Sequence, residues 1–420
     1  MKNLFENERK NMAFKMLIIS PFIPYDNVGH AGGKIHNYYL KKFHQSEEFE
    51  VKLITFSSSD DLKKHDLDRY GIDYRVIVFS RTFIARAIRF IWRKISALNV
   101  FDKRGAFVAS CFKKAIIKAL KDLKNNDYQP DIILMEWTQV VLLISEIKKI
   151  YPNNYYIAFE YDVLFLPLER KIKFYKVIKK FIKKMHLRNE KKYELYSLRL
   201  SNLIITLNIK DKNLLINEGI NPEKVYCVSP YYMNLFNVIP DYTSKNLIFF
   251  GAMGRVENYI SVIWFIKNVY REVIKRYPKT IFYIVGSNPP GSLLKYKSDN
   301  IIITGFVNHP ENYFKNSCCM ICPLLLGGGI KIKVLEGMSA GLPVITNNIG
   351  IEGIPAKEEL EYLHAETDEE YLRNIIKIFK NPELAKKIGE AGRNFVKENF
   401  DLKTSFNRYK ERILEDIIKR

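Results

Sequence analysis

The chain has 420 residues, 47% of them hydrophobic and 27% charged, and a formal net charge of +21. That length gives each of two domains an ordinary core and excludes a single small binding module, and the composition, with no long Gly, Pro or Ser tract, excludes a disordered protein. The charge draws the molecule toward something anionic, for which nucleic acid, an anionic membrane surface and phosphorylated substrates all qualify.

Lys2, Arg9 and Lys10 precede an apolar run, Met16 to Pro24, that Ser20 and Pro21 interrupt well short of the roughly 18 residues a membrane span needs. No small-residue cleavage site follows, so the expected location is cytoplasmic, peripheral at most on the inner face of the cell membrane. From there, short β-rich runs alternate with helical stretches. The first half offers strands over Lys15 to Ser20, Val51 to Phe56, Asp131 to Met135, Tyr155 to Phe159, Leu203 to Leu207 and Lys224 to Ser229. The second half offers Leu247 to Phe250, Ile281 to Val285, Ile301 to Thr304, Cys319 to Leu324 and Pro343 to Asn347, with an amphipathic helix over Val262 to Lys275. This alternation predicts parallel sheets with crossover helices. Tyr231 to Asn246 has no period and reads as the linker, giving domains at 1–238 and 239–400 and a final helix over 401–420.

Three strand runs end on a glycine, at Gly251, Gly286 and Gly305. Ligands of open α/β sheets lie beyond the carboxyl ends of strands, where glycine permits tight turns and close backbone approach. The most informative stretch runs from Pro323 to Thr346. It reads as a strand end, a triple-glycine loop at Gly327 to Gly329, a helix from Ile330 to Ala340, a stop at Gly341 and a new strand. A glycine loop feeding a helix start offers backbone N–H groups to a phosphate. Lys331 and Lys333 oppose the helix dipole there, which makes sense if an anion sits between them. Glu336, one turn on, suits the paired hydroxyls of a ribose. The bland alternative is an ordinary βαβ turn with solvated lysines.

Gly327-Gly-Gly-Ile-Lys-Ile-Lys-Val-Leu-Glu-Gly-Met-Ser-Ala-Gly-Leu-Pro-Val-Ile-Thr, followed by Gly350-Ile-Glu-Gly-Ile, resembles the donor-site signature of the family-four retaining glycosyltransferases, in a subgroup with a Gly-Gly-Gly-x-Lys-x-Lys loop. Phe250-Gly-Ala-Met with Asn258, Val285-Gly, Gly305-Phe-Val and Gly392-Arg-Asn-Phe-Val extend the likeness. Pro21-Phe-Ile-Pro with Gly32 and Gly33, Glu136-Trp137, and Glu160 to Asp162 are similar to the more variable first lobe. The resemblance implies the α/β GT-B fold, two Rossmann-like parallel-sheet lobes with a cleft between them and a C-terminal helix crossing back to the first lobe. It implies a nucleotide-sugar donor held by the second lobe, an acceptor held by the first, and retention of anomeric configuration. Where many members carry a first glutamate eight positions before Glu336, this chain has Gly328, and the cation that usually follows the first strand of the second lobe is reassigned to Lys331.

The expected catalytic residues are therefore Lys331 and Glu336. The expected donor contacts are Gly32, Gly33, Arg255, Gly327, Gly328, Gly329, Ile330, Lys333 and Glu352, and the expected acceptor contacts are Glu136, Tyr161 and Asp162. Lysines and loop amides neutralise the leaving diphosphate electrostatically, so neither a divalent metal nor another cofactor is required. Asp66-Leu-Asp68 has the spacing of a metal-binding pair but reads as a solvated face, and Cys319 and Cys322 read as packing within a buried strand.

Arg81 to Lys124 and Arg170 to Lys192 interleave cations with aromatic and aliphatic residues, a pattern that serves an anionic membrane surface or a solvated helix face equally. A membrane-facing first lobe suits a cell-envelope glycan or lipid-linked acceptor. The rivals are a GT-B nucleotide-sugar epimerase or phosphorylase and, from a different class, a basic nucleic-acid-binding protein, for which no docking element is found.

Overall fold

The computed structural model describes residues 13–26, 28–79, 110–165 and 177–420, with the side chains of 60, 79, 110, 111 and 177–183 set aside. These residues form two compact units, one built from the segments up to Val28, Gly32–Val228 and Phe406–Arg420, the other mainly from Ser229–Ser405.

The first unit holds a seven-stranded sheet in the order β3-β2-β1-β4-β5-β6-β7. Its strands are β1 (Phe14–Ser20), β2 (Phe49–Ser58), β3 (Asp73–Phe79), β4 (Ile132–Glu136), β5 (Tyr155–Glu160), β6 (Leu203–Thr206) and β7 (Val225–Cys227). All neighbours pair in parallel. β4 and β5 are buried along their whole length, as a sheet covered on both faces demands, which is why they read in sequence as unbroken apolar runs. Strand order reverses between β1 and β4, so Glu136 and Glu160 end their strands beside the switch point, where such sheets bind ligands.

The second unit holds a six-stranded parallel sheet, β10-β9-β8-β11-β12-β13. Its strands are β8 (Leu247–Phe250), β9 (Phe282–Val285), β10 (Ile301–Gly305), β11 (Cys319–Cys322), β12 (Val344–Thr346) and β13 (Leu363–His364). Its switch point lies between β8 and β11, so the turn at Gly251 and the loop after Cys322 flank it. Cys319 and Cys322 are wholly buried in the central strand β11, and burial raises both thiols, Cys322 to about 12.

Two strands have no counterpart in the sequence reading. β3 is an edge strand in which the polar opening Asp73, Tyr74 and Arg75 precedes a short apolar run, Val76 to Phe79; β13 is only Leu363 and His364. The expected helix over Val262 to Lys275 is the later part of a longer one, helical from Val256 to Arg276 with a wider π turn at Ile266–Tyr270.

The segment read as a linker contains no helix or strand, yet it belongs to the second unit, and the units divide at Val228 rather than at 238. Hydrogen bonds explain the shift: Met233 N donates to Glu336 Oε1 at 3.3 Å, Leu235 N to Ser339 Oγ at 3.1 Å, and Tyr242 OH to the Gly341 carbonyl at 2.8 Å. The final helix spans Leu402–Ile418, and from Phe406 onward its residues belong to the first unit. There Tyr409 is fully buried against Phe43 and Tyr39, at centroid distances of 5.3 and 5.9 Å, and Tyr155 OH donates to Asp416 at 2.5 Å. Edge-to-face ring pairs of this kind add about 0.5–1.5 kcal/mol each beyond their burial.

Candidate functional site

At the carboxyl end of the second sheet, β8 and β9 terminate in Gly251 (φ 149°) and Gly286 (φ 152°). Gly251 N donates to Val285 O at 3.0 Å and Gly286 N to Gly305 O at 3.1 Å, so the strand ends are laced together by backbone alone. A Cβ on Gly286 would stand 2.6 Å from the Gly251 carbonyl carbon, a distance no side chain tolerates. Asn258, buried in the helix Val256–Phe265, donates from Nδ2 to Ala252 O at 2.7 Å and fixes the turn after β8.

The loop after β11 comes next. Leu325 N donates to the buried Ser261 Oγ at 3.1 Å, and Gly327 (φ 141°) and Gly329 (φ 63°) take conformations that disfavour other residues. The following helix is Ile332–Ser339, two residues shorter at its start than expected, because Lys331 stays extended (φ −96°, ψ 92°) as its N-cap. Lys331 is buried and folds back: Nζ donates to Gly328 O at 3.0 Å and to Gly329 O, and stands 3.8 Å from Glu352. Lys333, partly buried in the first helical turn, instead donates to Asn258 Oδ1 and lies 4.6 Å from the Phe249 ring. Burial lowers the Lys333 ammonium to about 8, helped by the nearby charges of Arg255 and Lys331. Glu336, one turn on, is buried against the Met233 amide. Arg255 is half-exposed and paired with Glu257.

In the first unit, Tyr161 OH donates to Glu136 Oε2 at 2.8 Å, and Glu136 Oε1 lies 3.4 Å from the fully buried His36 Nδ1. Trp137 stacks on Tyr161 at 4.1 Å with planes 9° apart, and holds φ 66° and ψ 146°, a region that costs a non-glycine residue about 1–3 kcal/mol. Gly32 fits against this pair, since a Cβ there would meet Trp137 Cζ2 at 3.3 Å. Beneath the strand ends, Thr138 Oγ1 donates to buried Glu160, and Glu194 accepts from Leu164 N at 3.0 Å. Burial and the charge of Glu194 hold Glu160 well above the usual carboxyl range; burial likewise pushes Glu194 up to about 8.

A carboxyl whose folded pKa lies above its unfolded value stabilises fully below the unfolded value and loses that stabilisation as pH rises through the folded one. The wild-type melting temperature is therefore expected to fall between about pH 5 and about pH 8. Glu194→Gln keeps the bond from Leu164 and removes the titration, so its melting curve should depend less on pH and lie above wild type at the alkaline end. Parallel pH profiles for the two proteins would refute the assignment.

Residues 244–381 match the protein family described as Glycosyl transferases group 1. That span contains both strand-end glycines, Asn258, the glycine loop, both lysines and Glu336. Over 195 residues, 44% of its length, the chain is 25% identical to an uncharacterized 44.6 kDa protein in the cps region of Klebsiella pneumoniae. Over 149 residues, 32% of its length, it is 30% identical to an uncharacterized glycosyltransferase of Methanocaldococcus jannaschii. The chain spans about half the length of the first of these curated relatives and about a third of the second, 49% and 36% respectively. The crystal structure of Anabaena HepE in complex with UDP superposes with a TM-score of 0.64 over 96% of this chain and 100% of that one, at 11% identity. The fold is thus two Rossmann-like parallel-sheet lobes of the GT-B class.

Within the matched span, the structure brings Lys331, Glu352 and the glycine loop together, and Lys333 together with Asn258 near Arg255. Glu336 sits one turn away, and Ile330 is half-buried where the loop enters the helix. In the other unit Glu136 and Tyr161 meet directly, Asp162 is exposed, and Gly32 and Gly33 lie in the first turn of the helix Ala31–His44 rather than in a loop. Asp66 is not a solvated face: it accepts from Lys41 Nζ at 2.9 Å and from Asp26 N at 3.1 Å, while Asp68 accepts from Tyr74 OH at 2.9 Å. Among the described residues no group of three or more His, Cys, Asp or Glu is placed to hold a metal ion, and no helix is long and apolar enough to cross a membrane. Most of the basic stretch from Arg81, and the start of the one from Arg170, lie outside the described residues.

Sequence reasoning gave no role to His36, Glu194 or Met233, and marked Trp137 only as part of the Glu136-Trp137 pair. Asn258 carried a signal, as a marker of the resemblance, but not its function of tying Lys333 to the turn after β8.

Proposed function

We propose that the protein transfers a sugar from a nucleotide-sugar donor to a cell-envelope glycan or lipid-linked acceptor, with retention of anomeric configuration and without a divalent metal. The observation that carries this reading is the convergence, inside the matched span, of a glycine loop, two lysines and a buried glutamate at the switch point of a parallel sheet. The UDP bound by Anabaena HepE supports a nucleoside diphosphate as the leaving group.

In this reading the bond from the anomeric carbon to the diphosphate breaks, a bond to an acceptor hydroxyl oxygen forms, and the hydroxyl proton leaves with the diphosphate. Negative charge grows on the diphosphate, and fixed cations and backbone amides aimed at it lower the barrier. The lysine pair beside the loop and the amides of Gly327 to Ile330 supply that field, Lys331 by holding the loop, with Arg255 and Glu352 at its margin, and Glu336 accepts from the ribose diol. Glu136, Tyr161 and Asp162 are the acceptor-side residues, Glu136 and Tyr161 acting through their mutual hydrogen bond. The positive charge of the chain suits a peripheral position on the inner face of an anionic membrane, where lipid-linked acceptors reside.

A thermal-shift screen across nucleoside diphosphates and nucleotide sugars tests the donor. A ligand at about 100 times its Kd adds about 2.7 kcal/mol to the folded state, a rise of several degrees. No shift with any nucleotide would overturn the reading. Turnover of the matched donor should persist in EDTA, and the anomer of the product, read by NMR, decides retention.

A further inference from the structure

The two lysines beside the glycine loop have opposite surroundings. Lys331 is spent on its own loop: its ammonium satisfies the carbonyls of Gly328 and Gly329 and has Glu352 as a nearby carboxylate. Lys333 leaves the loop and reaches the end of β8, where it meets only the amide oxygen of Asn258 and the face of Phe249. Among the described residues no carboxylate oxygen lies within 4.0 Å of it. Its titratable and charged neighbours from the packed elements are Arg255 and Glu257 at the start of the helix Val256–Phe265, the thiol of Cys322 at the end of β11, and Lys331. Glu257 is already paired with Arg255. An ammonium has three donors, and a partly buried one among other cations is an unfavourable arrangement until an anion joins it.

Gly251 points the same way. A Cβ there would stand 3.3 Å from both Cε and Nζ of Lys333, so the missing side chain is what lets the ammonium lie along the strand end. The turn that admits Lys333 is the one whose backbone opens toward the switch point.

We propose that Lys333, and not Lys331, supplies the charge that pairs with the phosphates of the donor, while Lys331 is a positioning residue that holds the Gly327–Gly329 loop in shape. The assignment rests on the nucleotide-sugar reading above. In this arrangement the charge reaches the end of β8 from the neighbouring helix, Ile332–Ser339.

Isothermal titration of the full chain with UDP, ADP and GDP, and with the corresponding nucleosides, separates the two claims. If wild type binds no nucleoside diphosphate, the donor reading itself fails. If it binds one, Lys333→Met is expected to weaken that diphosphate about 10- to 100-fold, leave the nucleoside unchanged, and melt as wild type does. Lys333→Arg should recover part of the loss. Wild-type affinity should decline between about pH 7 and about pH 9 as the ammonium loses its proton, Lys333→Arg should flatten that decline, and Lys331→Met should retain it. Wild-type diphosphate affinity in Lys333→Met, or loss of the pH dependence in Lys331→Met instead, would overturn the proposal.

Discussion

Glu336→Gln is expected to lower kcat/KM for the matched donor by about 100- to 1000-fold while leaving the melting temperature within about 2 °C of wild type. The carboxylate is buried in the second turn of the Ile332–Ser339 helix, where its Oε1 takes the Met233 amide. Glutamine keeps an oxygen in that place, so the segment leading from Val228 into the sheet stays pinned. What it loses is the negative charge. Two charge-assisted hydrogen bonds to a ribose diol, at about 1.5–3 kcal/mol each, account for the predicted factor when both weaken. Alanine is the poorer test, because it also strands the Met233 amide. Steady-state rates with unchanged kcat/KM in Glu336→Gln would remove Glu336 from the donor site.

The strand ends were legible because the physics that places ligands there also writes itself locally. Apolar runs that stop on glycine mark buried parallel strands that turn sharply, and Gly251, Gly286 and the loop from Gly327 all lie beside the switch point. Edge strand β3 carried its signal only in its second half, Val76 to Phe79, because exposure at the sheet edge permits Asp73, Tyr74 and Arg75 in the first. The division of labour between Lys331 and Lys333 was also hidden. The two stand on one short stretch, and in a helix both would project from its first turn. Instead Lys331 leaves helical dihedrals at the cap, which sends its side chain back over the loop, and only Lys333 continues toward β8. Backbone strain leaves no mark either: nothing around Trp137 announces that it must sit at φ 66° to stack on Tyr161. The Glu160 and Glu194 pair joins residues on β5 and on the helix Val177–Arg199, and their coupling exists only once that helix covers the sheet.

Gly286→Ala should cost about 3 kcal/mol or more, lowering the melting temperature by about 6 to 12 °C, whereas Gly291→Ala should change it by less than about 2 °C. The contrast isolates the cause. Gly286 combines a φ of 152° with a neighbouring carbonyl carbon 2.6 Å from where its Cβ must go, whereas Gly291 has no positive φ and nothing within 4 Å. Backbone strain alone accounts for about 1–3 kcal/mol, and the clash adds to it because the carbonyl it meets belongs to Gly251, whose own amide is bonded to Val285. Neither strand end can retreat without breaking a bond of the sheet. The substitution therefore pushes β8 and β9 apart at the point where Lys333 reaches Asn258, so diphosphate affinity should fall together with stability. Thermal melting by circular dichroism, with nucleoside diphosphate titrations on the same samples, measures both. If Gly286→Ala melts as wild type does, the close approach of Gly251 and Gly286 is wrong, and the strand-end geometry on which the Lys333 assignment depends falls with it.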